Sequence, residues 1–294
     1  MNEESKPLIV IIGETASGKS ALAMELAQKF NGEIICADSR TVYVGMDIGT
    51  AKPSIKDQQK VPHFGINIST PVTPVNVADF KKLATGAMAE IASRGHVPIM
   101  VGGTGLYIDA VLYDFVFRKV AERKLRDHLG QLSVPELQAE LQAEGIALPE
   151  NSQNPRHLMR ALETGGQTSE RKPLRANTLI IGLEVPRDEL KARIARRIDQ
   201  MLAAGLEAEV RQLAQKYGWD VEPLKTIGYR EWREYFEGQV SLEQVKAEII
   251  RSTMAYAKRQ RTWFKRNSSI HWVKEQREVV ELVTTFLNKS RMGK

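Results

Sequence analysis

The chain has 294 residues, 42% of them hydrophobic and 27% charged, a balance that excludes a disordered chain and fits a soluble globular protein. Its 42 basic and 36 acidic residues leave a net charge of +6, a modest excess that suits a polyanionic partner, and its single cysteine, Cys36, excludes an intrachain disulfide. The five histidines lack the paired spacing of a zinc site, and the opening "MNEESKP" lacks the basic-then-apolar order of a signal peptide. No apolar run approaches the ~18 residues of a membrane span, so a cytoplasmic protein with no membrane partner is expected.

The first predicted elements are a strand, "LIVII", a glycine loop, "GETASGKS", and an amphipathic helix, "ALAMELAQKF", stopped by Asn31 and Gly32. A second apolar strand, "EIICA", delivers Asp38 at its carboxyl end. A helix over "ADFKKLATGAMAEIASRG" and a buried strand, "VPIMV", running into "GGTGLY" follow. Alternating strands and helices predict an α/β fold with a mostly parallel sheet flanked by helices, whose ligands gather at the carboxyl ends of the strands. After about Phe117 the pattern turns helical, through "AERKLRDHLGQL", "SVPELQAELQAEG" with Ser133 and Glu136 spaced as a capping box, and "NPRHLMRALET". A helical insertion domain over 118–176 is expected, with the core formed by 1–117 and 177–294. The linker "GGQTSERKPLRAN" returns the chain to a strand, "TLIIGLEV", a long helix from Arg187 to about Ala204, and further helices to the end.

Gly13, Gly18, Lys19 and Ser20 satisfy the P-loop pattern in its required strand–loop–helix context. Loop amides and the helix N-terminus converge on an anion, Lys19 adds a point charge, and the Ser20 hydroxyl is suited to magnesium. The later strand ends "MVGGTGLY", with glycines and a hydroxyl where an ATPase usually carries a metal-holding carboxylate. Asp38 read alone is a cap or turn residue, or the base or metal partner of a small-molecule kinase. From Arg251 to Ile270 there are six Lys or Arg and no acid, either a solvated helix face or a phosphate-binding patch.

The run "ICADSRTVYVGMDIGTAKP", together with "GETASGKS", "VPIMVGGTGLY", "TIGYREW" and "AYAKRQRTWFKR", resembles the tRNA dimethylallyltransferases in order and spacing from about Leu8 to Trp272. The resemblance is to the compact bacterial form. It implies a P-loop NTPase-like core and transfer of a dimethylallyl group from its diphosphate to the exocyclic amine of the adenosine 3′-adjacent to the anticodon. On that reading the loop grips an isoprenoid diphosphate rather than ATP, through Gly13, Thr15, Ala16, Ser17, Gly18, Lys19 and Ser20, with magnesium at Ser20. Asp38 is implied as general base, Thr104 as a contact to diphosphate and channel, Arg197 as a diphosphate ligand and Arg193 as its helper.

The same resemblance implies a monomer that turns the adenine of the anticodon stem-loop out of its stack. Ser39, Arg40 and Thr41 would meet the base beside Asp38 and Thr104. Arg126, Arg156, His157 and Arg160 of the insertion, with Gly228, Arg230, Lys258, Arg259, Arg261 and Arg266, would hold the tRNA. The sequence departs from the family in Glu14, usually proline; in Thr41, often glutamine; in Met254, often arginine; and in a shortened stretch between Tyr113 and Arg126. Two other classes remain: a P-loop nucleotide or metabolite kinase, and a non-catalytic RNA-binding module.

Overall fold

The computed structural model describes residues 6–117, 123–167, 170–274 and 276–292. Ala121 and Glu122 of the first expected insertion helix, and Thr168 and Ser169 of the expected linker, lie outside them. The chain divides into two compact units, Met1–Leu112 with Arg175–Lys294, and Tyr113–Leu174.

The larger unit opens with β1 (Leu8–Gly13), α1 (Lys19–Phe30) and β2 (Gly32–Ala37), then α2 (Ile55–Lys60), β3 (His63–Phe64), α3 (Val77–Ser93), β4 (Val97–Gly102) and α4 (Gly105–Leu112). Asn31 ends α1 in the left-handed conformation at φ 51°, as its asparagine–glycine stop predicts. Asn76 and Asp79 close a capping box on α3. The smaller unit contains α5 (Arg123–Leu129), α6 (Val134–Ala143), begun by the Ser133–Glu136 capping box, and α7 (Pro155–Glu163). Its own core is a leucine cluster, Leu129, Leu137, Leu141, Leu158 and Leu162.

The larger unit resumes with β5 (Thr178–Leu183), α8 (Arg187–Ala203), α9 (Leu206–Tyr217), α10 (Arg233–Phe236), α11 (Leu242–Phe264), β6 (Ile270–Val273) and α12 (Gln276–Met292). The expectation of helices alone after β5 is therefore corrected by β6. That run of four residues, "IHWV", is too short and too polar at His271 to show a strand period, and it is held by parallel pairing with β5.

The sheet order is β3-β2-β4-β1-β5-β6, and every pairing among its described strands is parallel. Alternate strand residues Ile9, Ile11, Ile34, Ile99 and Ile181 meet α1 and α12 through Leu22, Leu26, Val279 and Val283. The intervening set Val10, Ile12, Ile35, Met100 and Ile180 is buried as well, with α3 packed on β2 and β4 and α11 on β1. Both faces are thus covered, which explains why these strands read as unbroken apolar runs. Among the described residues no helix is long and apolar enough to cross a membrane.

The stretch after β2 is irregular but fixed. One carboxylate, Glu209 of α9, accepts the amides of Asp47 and Ile48 through Oε2 at 3.0 and 2.7 Å, and that of Gly49 and the Tyr229 hydroxyl through Oε1 at 3.0 and 2.8 Å. The Lys52 ammonium, on a side chain 3% exposed, donates to the Tyr43 carbonyl at 2.7 Å and to Asp47 and Asn67 at 2.6 Å each. Gly49 lies so close to the Tyr229 ring that an added methyl would sit 2.6 Å from it. The segment "GMDIGTAKP" is therefore a latch that holds the loop carrying Asp38 against α9. Glu209→Ala is expected to strand the buried Tyr229 hydroxyl and loosen three amides, costing about 3 kcal/mol in urea unfolding. An unchanged midpoint would show that water replaces the carboxylate without penalty.

Candidate active site

Three neighbouring strands bring three functional segments to one end of the sheet. The glycine loop follows β1, Thr104 follows the adjacent β4, and Asp38 follows β2 beyond it. Two strand spacings put the loop and Asp38 about 10 Å apart along the sheet, with Thr104 between them. The Thr104 amide donates to the Ala37 carbonyl at 3.3 Å, and its Oγ1 accepts the Ser39 amide at 3.1 Å, tying the ends of β4 and β2 together. No carboxylate ends β4, where Gly102 and Gly103 precede Thr104.

The glycine loop is an anion nest. Ala16 and Gly18 are left-handed at φ 62° and 94°, which turns successive amides inward ahead of the α1 N-terminus. Ser17 Oγ is buried with no hydrogen-bond partner among the described residues, the kind of orphan that a phosphate oxygen satisfies. A cleft of about 730 Å³ opens on the outer side of the loop, lined by Ser17, Gly18, Leu22, Val185, Pro186 and Arg193 among others and by none of Lys19, Asp38, Thr104 or Arg197. Ser20 is exposed in the first turn of α1. The Thr15 amide faces away from any such anion, because it donates to Gln260 Oε1 at 2.8 Å.

Two cations meet Asp38 electrostatically. Burial pushes the Lys19 ammonium down to about 8, the Arg197 guanidinium pushes the same way, and Asp38 and Glu14 pull against them. Burial also lowers Arg197, with Asp38 opposing. Arg193 donates to the Ser17 carbonyl at 3.2 Å and pairs with Glu189, so it braces the loop from outside. Asp38 itself is oriented by its own loop, Oδ1 accepting the Arg40 amide at 2.8 Å and the Thr41 amide at 3.4 Å.

Several expected contacts are placed differently from the sequence reading. Thr41 is buried, and its hydroxyl turns back to the Asp38 carbonyl at 3.4 Å, so it shapes the loop rather than presenting itself to a base. Arg261 is a half-buried cation paired within the protein. It donates to Glu14 Oε2 at 2.8 Å and to the Val185 carbonyl at 3.0 Å, which matches the buried acid beside the loop with a charge. Arg230 is engaged with Glu231 and Ser252, and Gly228 is a left-handed turn residue whose amide donates to Glu231. Lys258 and Arg259 on α11, and Arg266 just beyond it, are exposed.

In the smaller unit, Arg126 and Arg160 flank the Glu163 carboxylate at 3.5 and 3.1 Å, while Arg156 and His157 lie exposed on α7. Leu158 and Leu162 point the other way into that unit's core. Arg156, His157 and Arg160 thus share the outer side of the amphipathic α7, and Arg126 comes from α5.

Sequence reasoning missed Tyr256 and Gln260. Both lie on α11, one turn apart, and Trp263 follows on the same face. Gln260 Nε2 donates to the Gly103 carbonyl at 2.9 Å, and the Tyr256 hydroxyl lies near Thr104 and Gln260. Burial, with the Asp38 charge adding, pushes the Tyr256 phenol up to about 12. Trp263 donates to Asp109 at 3.0 Å and lies against Gly105, where an added methyl would be 2.4 Å from the ring. The interval of four then three residues is readable in "YAKRQRTW", but the basic residues between mask it.

A parallel sheet with an anion nest, a neighbouring strand lacking the ATPase carboxylate and an aspartate one strand further defines a P-loop-type α/β protein built for a phosphorylated ligand. The sequence model described as IPP transferase matches residues 41–267. A tRNA dimethylallyltransferase of Roseiflexus sp. is 43% identical over 277 residues, covering 88% of this chain and 90% of that protein. One from Bacillus subtilis is 38% identical over 288 residues, with 92% of each covered. Among solved structures, the full-length tRNA isopentenylpyrophosphate transferase of Bacillus halodurans aligns with a TM-score of 0.77 at 35% identity, over 98% of this chain and 99% of that one. A eukaryotic dimethylallyltransferase acting on tRNA aligns at 0.77 and 27% identity, over 92% of this chain and 74% of that one. The chain belongs to the IPP transferase family, the tRNA dimethylallyltransferases.

The depressed Lys19 sets a pH dependence. Below about 8 its ammonium is charged before any anion arrives, and above 8 an anion must draw in a proton to restore it. Sulfate has no proton to lose in this range, so its affinity is expected to fall by up to about tenfold per pH unit above 8, with proton uptake in calorimetry. Lys19→Met should abolish both effects. Affinity that is flat from pH 7 to 10 in the parent chain would contradict the shift.

Proposed function

We propose that this chain transfers a dimethylallyl group from dimethylallyl diphosphate to the exocyclic amine of the adenosine 3′-adjacent to a tRNA anticodon. The observation that supports the reading is the placement of Lys19 after β1 and Asp38 after β2 at one end of the sheet, with Arg197 of α8 near enough to push on the charge of Lys19 and to feel that of Asp38. The allylic carbon–oxygen bond breaks with its electron pair leaving on the diphosphate, and the nest, Lys19 and Arg197 stabilise that charge. The adenine nitrogen forms the new bond to carbon, and its proton goes to Asp38, whose Oδ2 is the oxygen not held by its own loop amides. The allylic unit would lie between loop and base, beside Thr104, which hydrogen-bonds the β2 end that carries Asp38.

Magnesium fits the donors as a partner of the diphosphate. Among the described residues no group of three or more His, Cys, Asp or Glu is placed to hold a metal alone. The exposed Ser20 hydroxyl and the diphosphate oxygens supply the hard oxygen ligands that magnesium prefers. When bound, the ion would neutralise the leaving group.

The tRNA would be held by Arg156, His157 and Arg160 with Arg126 on the smaller unit, and by Lys258, Arg259 and Arg266 on the larger. Ser39 and Arg40 stand beside Asp38 to meet the extruded base. We take one chain, in the cytoplasm, to be sufficient. A phosphoryl-transferring kinase is the less supported reading, since β4 ends without a carboxylate.

Incubation with labelled dimethylallyl diphosphate and an unmodified anticodon stem-loop is expected to prenylate the RNA, while labelled ATP yields no phosphorylated product. Phosphoryl transfer without prenylation would establish the kinase. Asp38→Ala should lower turnover about 10²- to 10⁴-fold at nearly unchanged RNA affinity, and near-normal turnover would remove Asp38 from the proton transfer. Replacing Lys258 and Arg259 together with alanine is expected to weaken RNA binding and flatten its salt dependence by roughly one unit of slope for each phosphate no longer neutralised. Identical slopes for parent and variant would assign these residues to a solvated face.

A further inference from the structure

We propose that Gln260, braced by Tyr256, is a positioning residue that locks the glycine loop to the β4 end carrying Thr104 and so fixes the distance between the bound diphosphate and Asp38. The inference rests on the prenyl-transfer reading and names a part of that site which the catalytic residues alone leave unexplained.

Gln260 is 5% exposed, and its amide is spent on two pieces of backbone that belong to different strand ends. Oε1 accepts the Thr15 amide at 2.8 Å, and Nε2 donates to the Gly103 carbonyl at 2.9 Å. The approach is so close that a methyl added at Gly103 would lie 2.1 Å from Nε2. The Tyr256 hydroxyl lies beside this amide and Thr104, close enough for both to act on its phenol. Thr104 Oγ1 then accepts the Ser39 amide next to Asp38. Two hydrogen-bonded links thus lie between the anion nest and Asp38: Gln260 joins Thr15 of the loop to Gly103 at the end of β4, and the next residue, Thr104, holds the Ser39 amide beside Asp38.

Only a side chain with an acceptor and a donor side by side satisfies both backbone groups. A carboxylate at this position would accept from Thr15 but face the Gly103 carbonyl with a lone pair. A hydrocarbon would leave both groups buried and unpaired. The rest of α11 holds this amide in place, because Trp263 is wedged over Gly105 and Arg261 is tied to Glu14. A displacement of about 1 Å in such a bracket is enough to cost on the order of 10²-fold in rate.

The test uses Gln260→Glu, Gln260→Leu and Tyr256→Phe in the full chain, with turnover of dimethylallyl diphosphate measured at saturating anticodon stem-loop over a pH series. Inorganic diphosphate binding by calorimetry and urea unfolding are measured in parallel. Gln260→Glu is expected to lose about 10- to 100-fold in kcat at neutral pH, and to regain several-fold relative to the parent as acid protonates the new carboxyl and restores its donor. Gln260→Leu should lose as much with no recovery, and Tyr256→Phe about tenfold. All should bind the stem-loop like the parent. Variants that are fully folded at the assay temperature and keep the parent's kcat would overturn the proposal, as would a loss in Gln260→Glu that does not change with pH. Should Gln260→Leu fail to fold, the other two decide. A parent chain inactive with dimethylallyl diphosphate would end the prenyl-transfer reading instead. The diphosphate titration then judges Gln260 by itself, with about tenfold weaker binding to Gln260→Glu expected and equal binding overturning the role.

Discussion

The structure depends on the attraction between one carboxylate, Asp38 after β2, and two partly buried cations, Lys19 at the start of α1 after β1 and Arg197 on α8. Left alone, Lys19 and Arg197 repel each other in a site that already penalises their charge, and Asp38 is what offsets this. An incoming dianion relieves the same repulsion from the other side. Empty or filled, the site is organised around charge that has been desolvated in advance, so little reorganisation is left for the moment of reaction. The intervening strand, β4, contributes no charge at its end. That neutrality preserves the gap in which a carbon centre can pass from oxygen to nitrogen.

Rigidity around this gap comes from helices that are distant in sequence. Glu209 of α9 gathers the amides of Asp47, Ile48 and Gly49, and α11 sends Gln260 to the glycine loop and to β4. Helix α11 therefore serves different partners on different faces. One carries Tyr256, Gln260 and Trp263 to the strand ends, Arg261 reaches Glu14, and Lys258 and Arg259 stay in solvent. A cluster that reads in sequence as one basic patch is, in space, a structural arginine and a set of exposed cations.

Much of the core was legible because local rules and tertiary structure agree there. The β1 loop, the Asn31 stop and the Ser133 capping box follow from φ preferences and capping chemistry, which act within a few residues. β6 was not legible, since four residues with an exposed histidine carry no period and depend on β5 for their pairing. α4 was not assigned from "GTGLYIDAVL", whose first residues read as the glycine end of the preceding strand. In the site, Lys19, Asp38 and Thr104 announced themselves by motif and by family resemblance. Thr41 and Arg261 did not, because burial and pairing are properties of the folded chain: a hydroxyl beside a base and a cation in a basic run were assigned to ligand, and the structure buries the first against Asp38 and pairs the second with Glu14. Glu14, an odd residue in sequence, becomes intelligible once Arg261 is seen beside it.

The decisive experiment is a crystal structure of the chain with an unreactive dimethylallyl diphosphate analogue and an unmodified anticodon stem-loop. Such a complex should hold the diphosphate in the nest against Lys19 and Arg197, with the flipped adenine amine about 3–3.5 Å from the allylic carbon and within hydrogen-bonding distance of Asp38. A complex in which the diphosphate fills the nest while the adenine amine touches neither the allylic carbon nor Asp38 would contradict a reaction organised around these charges.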